Sequence, residues 1–105
     1  MNNKKLTISG RDFHVSFNRL LNGGFISITE GSEPRFGAIV LALKSIGRIN
    51  STVIIPEKHS SIISIMLAEL LAKELDGIAL LSIFLKDEVD SQVAKILFLE
   101  IRNLI

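Results

Sequence analysis

Two segments, residues 36–43 (FGAIVLAL) and 78–86 (IALLSIFLK), are apolar at nearly every position rather than at alternate ones. Side chains of a strand alternate between the faces of its sheet, so each segment needs cover on both sides. A chain of 105 residues has little interior with which to give it. Hydrophobic residues make up 48% of the sequence before its seven glycines are added. That sum exceeds the usual share of about 45–50%, which already includes glycine. The surplus predicts one domain, residues 1–105, that buries its excess against a second copy of itself.

The pattern along the chain predicts an α+β order. Residues 5–9 and 12–20 flank a hairpin turn at Ser9-Gly10-Arg11. Phe13, Val15 and Phe17 alternate with Asp12, His14, Ser16 and Asn18, as in a strand with one buried face. Asn22-Gly23-Gly24 reads as a turn tolerant of positive φ, before a strand at 25–30. A further turn at 31–35 leads into the apolar strand 36–43. Residues 44–51 read as a connection and 52–55 as a short strand. Helical spacing covers 57–76, with Ile62, Ile63, Met66 and Leu70 as its main stripe and Gly77 as a left-handed cap. After the strand 78–86, Asp87 is placed to cap a last helix ending near 103. The expected architecture is an antiparallel β-sheet with two main helices packed on one face and the other face buried by dimerisation.

Composition narrows the function classes. Twelve Lys and Arg balance eleven Asp and Glu without long runs, which gives no basis for nucleic-acid or anionic-membrane binding. The six Phe sit at buried-looking positions, and there is no Tyr or Trp to form a platform for bases. Absence of Cys excludes disulfides and thiolate metal sites. No apolar run approaches the roughly 20 residues of a membrane span, and the first residues read as the start of a strand. The expectation is a soluble, cytoplasmic protein.

The stretch VIIPEKHSS (53–61) looks most like an active site, because it gathers a histidine, two serines, a lysine and a glutamate. A serine nucleophile needs an oriented base and oxyanion donors, and helix geometry points His59 and Ser60 about 100° apart. Ser60 or Ser61 instead suits a helix start, accepting from free N–H groups of the first turn. His14 and His59 are isolated and lack a third ligand at metal spacing. Asp87, Glu88 and Asp90 read as cap and dipole residues, and Gly23, Gly24 and Gly31 lack the spacing and lysine of a phosphate loop. The reading is a protein with no catalytic residues, metal or cofactor.

Three longer stretches carry a resemblance. FISITEGSEPRFGAIVLAL, STVIIPEKHSSIISIMLAELLAKE and IALLSIFLKDEVDSQVAKILFLEI, the last with Lys86-Asp87 after its strand, are similar in order and spacing to the small proteasome-assembling chaperones. The likeness is to the type that works as a heterodimer of its third and fourth members, and it runs from about Phe13 to Ile101. It implies a non-catalytic sheet with helices on one face, dimerisation through the other, and binding to α-type subunits of the 20S proteasome. No strict motif transfers individual binding residues. Exposed polar residues on loops beside a rigid scaffold are the usual place for recognition, which selects Arg35, Lys44, Arg48, Lys58 and His59 for partner binding. A roadblock-type dimeric scaffold is one alternative, although such domains usually begin with a helix. Another is a small enzyme or ligand-binding protein with a site across the dimer interface, using Arg19, Glu57 and His59.

Overall fold

The computed structural model describes residues 2–59 and 61–105. Its elements run β1 (Asn2–Ile8), β2 (Arg11–Leu20), β3 (Gly23–Glu30), β4 (Ala38–Ser45), β5 (Arg48–Ile55), α1 (Ser61–Leu75), β6 (Ile78–Phe84) and α2 (Ser91–Leu104). The strands form one six-stranded sheet in the order β1-β2-β3-β6-β4-β5. Both helices lie on one face, as the pattern predicted. Pairing is antiparallel except between β3 and β6, which run parallel with Ile26 beside Leu81. Reaching that slot takes a long crossover through β4, β5 and α1, in keeping with the length parallel neighbours require.

The core fills the space between sheet and helices. Phe13, Val15 and Phe17 of β2, Ile26 and Ile28 of β3, Val40 of β4, and Leu81 and Ile83 of β6 meet Leu67 and Leu71 of α1 and Leu97 and Ile101 of α2. Helix α1 departs from the expected stripe. It buries Ser64, Leu67, Ala68, Leu71, Ala72 and Leu75, while Ile62, Met66 and Leu70 face outward and Ile62 is 80% exposed. Helix α1 lies over β4 and β6, whose core residues include Ala38, Ala42 and Ala79, and it turns its own small Ala68 and Ala72 into the same core. Weighting large side chains pointed to the wrong side of a helix that is apolar almost all round.

Several local assignments shift for identifiable reasons. Residues 44–51 are not a connection. Strand β4 runs to Ser45, a turn at Ile46-Gly47 follows, and β5 returns from Arg48 with Ser45 opposite it. Glu57, Lys58 and His59 precede α1 instead of starting it, and the cap read at Ser60 lies outside the described residues. Asp90, not Asp87, caps α2, its carboxylate accepting from the Val93 N–H at 2.8 Å, whereas Asp87 accepts from Glu88 N. Gly23 lies in strand β3 and has no positive φ. Its missing side chain is what matters, since a Cβ there would stand 1.9 Å from the Ile78 carbonyl oxygen. Asp76 rather than Gly77 takes the left-handed position after α1.

One ion pair ties the sheet to the β6–α2 loop. Arg11 grips Glu30 through Nε to Oε2 at 3.0 Å and Nη2 to Oε1 at 2.6 Å. The same guanidinium donates to the carbonyls of Asp87 and Glu88 at 2.9 and 2.7 Å, and Lys86 N donates to Glu30 Oε1 at 2.9 Å. Hydrogen bonding from Arg11 holds the Glu30 carboxyl below the usual carboxylate range, with burial opposing and the Lys86 N–H assisting. Arg11 is raised, chiefly by the same hydrogen bond. Because Glu30 is lowered on folding, its stabilisation is complete above the unfolded pKa and is lost as pH falls through the folded one. Glu30→Gln is expected to cost about 2 kcal/mol at neutral pH, in the range for hydrogen bonds to charged groups. Urea unfolding at several pH values checks this: the gap between wild type and variant should close in acid.

Candidate functional site

The candidate site is the face of the sheet that carries no helix. Alternation assigns its residues. On β3 they are Phe25, Ser27 and Thr29; on β6, Ile78, Leu80, Ser82 and Phe84; on β4, Ile39, Leu41 and Leu43, with Thr52 and Ile55 opposite on β5. On β2 they are His14, Ser16 and Asn18, beside Lys5 and Asn3 of β1. The face is therefore divided into a polar half over β1 and β2 and an apolar half over β6 and β4, extended by Ile55 of β5, whose Asn50 and Thr52 form its polar margin. Within the apolar half Leu41, Leu43 and Ile55 are 38%, 42% and 45% exposed.

At one end the loop between β3 and β4 folds over this face. Thr29 and Ser82, both fully buried, hold it. The Thr29 hydroxyl accepts from Arg35 N and donates to Arg35 O, each at 3.2 Å, and Ser82 Oγ accepts from Gly37 N at 3.2 Å. Gly37 lets the loop backbone run against β6, because a Cβ there would lie 2.2 Å from the Ile83 carbonyl oxygen. The Arg35 guanidinium stacks 4.2 Å from the centroid of Phe84, within cation–π range. Beside the loop lies a groove of about 340 Å³ lined by Asn3, His14, Phe25, Pro34, Arg35 and Phe36, among others. Phe36 is 73% exposed, against the expectation that every Phe is buried; Phe13 and Phe17 are the two that are.

The five residues selected for partner binding do not share one patch. Arg35, Lys58 and His59 lie at the end of the sheet where β3 and β6 finish and β4 begins. Lys58 and His59 line a hollow with Ile62, Ile63, Glu88 and Val89. Lys44 and Arg48 lie at the opposite end, where Lys44 Nζ pairs with Asp76 at 2.9 Å. Arg19 is at that far end too, opposite Gly24, so one chain does not bring it near Glu57 and His59. Glu57 Oε2 and His59 Nδ1 are buried without hydrogen-bond partners. Among the described residues, no group of three or more His, Cys, Asp or Glu is arranged to hold a metal ion. No described helix is long and apolar enough to cross a membrane.

Comparison with known proteins gives a likeness of fold. A solved structure of a novel chaperone complex for yeast 20S proteasome assembly contains a chain that superposes with TM-score 0.66 at 12% identity. The match covers 97% of this chain and 94% of the yeast one. No protein-family model matches the sequence, and no curated protein matches it.

Sequence reasoning missed the loop-to-face attachment, because a threonine and a serine inside apolar strands look like neutral substitutions. The signal was present: a buried hydroxyl needs a partner, and a nearby Gly-containing loop is where to seek it. Thr29→Val keeps the side-chain shape and leaves Arg35 N–H without its acceptor. The expected cost is about 1–3 kcal/mol. Urea unfolding gives the magnitude, and faster amide exchange at Arg35 than in wild type assigns it to the loop.

Proposed function

We propose that this chain is a non-catalytic, homodimeric assembly chaperone of the 20S proteasome, working in the cytoplasm and binding α-type subunits. The whole-length likeness of fold to a chain of the yeast assembly-chaperone complex carries the reading. The apolar half of the open face supports the dimer. Two copies packed face to face would cover Ile39, Leu41, Leu43, Leu80 and Ile55 with the same residues of the other copy, an isologous arrangement. Exposed apolar area of that kind on a small domain marks an interaction surface. The helices would then lie outside, and the polar loops would form a rim on which an α subunit docks. Of the selected residues, Arg35, Lys58 and His59 form one candidate contact and Lys44 with Arg48 another.

A second reading rests on the groove around His14, Phe25 and Phe36. Face-to-face pairing would enclose it and give the dimer a ligand pocket.

Native mass spectrometry of the chain, alone and co-expressed with a proteasome α subunit of its host, tests the proposal. A dimer that captures the α subunit supports it, with capture weakened by charge reversal at one of the two residue groups. Leu41→Lys, which sets like charges into the apolar half, should yield monomers at concentrations where wild type is dimeric. A wild-type monomer, or a dimer that ignores α subunits, overturns it. Retention of a small molecule by the dimer would favour the second reading.

A further inference from the structure

The two edge strands of the sheet differ in the charges they carry. Strand β1 carries the exposed Lys4 and Lys5 within it and is fastened to α2, Asn2 Nδ2 donating to Leu104 O and Lys4 pairing with Glu100. Charges on an outer strand and cover from a neighbouring element are the devices by which sheets prevent edge-to-edge pairing. Strand β5 carries a single charge, Arg48 at its start, and is touched by α1 on the helix-bearing side, where Ser51 Oγ donates to Glu69 Oε2. From Ile49 to Ile55 it contains no charge and no proline, and seven of its eight residues are exposed. Among the described residues no strand pairs with the outer side of β5.

We propose that β5 is a self-association edge, at which two copies pair antiparallel about a two-fold axis through Ser51. The segment INSTV (49–53) is close to a palindrome in character. With Ser51 opposite Ser51 of the second copy, Ile49 faces Val53 and Asn50 faces Thr52. These pairings keep each side chain on its own face of the sheet. Ile49, Ser51 and Val53 lie on the helix-bearing face, opposite Lys44, Ala42 and Val40, while Asn50 and Thr52 lie on the open one. The pairs are β-branched with β-branched and polar with polar, the combinations that stabilise neighbouring strands.

Two further observations select this arrangement. The extra residue Ile54 breaks the register between β4 and β5 near Ile39, so straight pairing is confined to the part of β5 that holds the palindrome. The charges flanking the strand also differ in sign, with Arg48 at its start and Glu57 just beyond its end. Among the described residues neither makes an ion pair. In the antiparallel register Arg48 faces Ile54 of the other copy, whereas parallel pairing opposes Arg48 to Arg48. The edge is separate from the open face, so this inference stands or falls independently of the proposed chaperone role.

Because the chain has no cysteine, single-cysteine variants of the full chain read the register directly. Facing residues of antiparallel strands lie about 4.5–5.5 Å apart at Cα, within disulfide range. Under mild oxidation, Ser51→Cys should form a covalent dimer about tenfold faster than Leu99→Cys on the outside of α2, given the raised effective concentration of apposed thiols. Equal rates overturn the proposal. Adding Val53→Lys should remove the advantage, while adding Leu41→Lys on the open face should leave it. Loss of the cross-link with Leu41→Lys would assign it to face-to-face pairing and overturn the edge. If Ser51→Cys does not fold, an equal mixture of Asn50→Cys and Thr52→Cys gives the answer: mixed disulfides well above twice either homodimer support the register, and the statistical ratio of about 1:2:1 refutes it.

Discussion

The sheet depends on β6 occupying the slot between β3 and β4. Without it the chain has two separate antiparallel units, β1-β2-β3 and β4-β5, each with a bare inner edge. Among the described residues, β6 is the only strand paired with both. This explains its composition: packed by α1 on one face and lined up with Phe25, Leu41 and the Arg35 loop on the other, it has no position that faces water freely. It also explains the close contacts along its length, since Gly23 and Gly37 bring neighbouring backbone against the Ile78 and Ile83 carbonyls where a side chain would not fit.

The Arg11–Glu30 pair closes the same region from the side. A guanidinium that spans a carboxylate and two loop carbonyls fixes where the chain goes after β6, and so fixes the start of α2. Its geometry is bidentate and largely shielded, which distinguishes it from the exposed Lys44–Asp76 and Arg102–Glu74 pairs, whose side chains retain water and contribute little. The β3–β4 loop is attached by the opposite device, two neutral hydroxyls buried in apolar strands. Together these fastenings make one end of the sheet rigid, and Arg35 is presented from it.

The apolar strands were readable because a short chain has few places other than the middle of a covered sheet for a strand that is hydrophobic on both sides, and the α+β order followed from them. The misread segments had weak or ambiguous signals. Strand β5 is exposed along nearly its whole length, so KSIGRINS shows no burial pattern to reveal the second arm of a hairpin. Asp87 and Asp90 are both sound caps, and only the path set by Arg11 and Glu30 decides between them. The inward face of α1 mixes leucines with two alanines over a part of the sheet that is itself rich in buried alanine, a match that lies between segments and not within either one. Candidate docking residues suffered similarly: Lys44 and Lys58 are close in sequence, but the β4–β5 hairpin carries the chain from one end of the sheet to the other between them.

The slot for β6 also has a consequence for how the chain reaches its fold. Ile26 and Leu81 are 55 residues apart, so the central pairing is a long-range closure that waits on several others. Until it happens, the inner edges of β3 and β4 are as unprotected as β5, and far more apolar. Any strand of the right pattern fits there, and the best fit in a crowded solution is β6 of another molecule. Exchange of β6 and α2 between neighbours is thus the characteristic misassembly of this topology, favoured when the concentration of nascent chains outruns the rate of intramolecular closure.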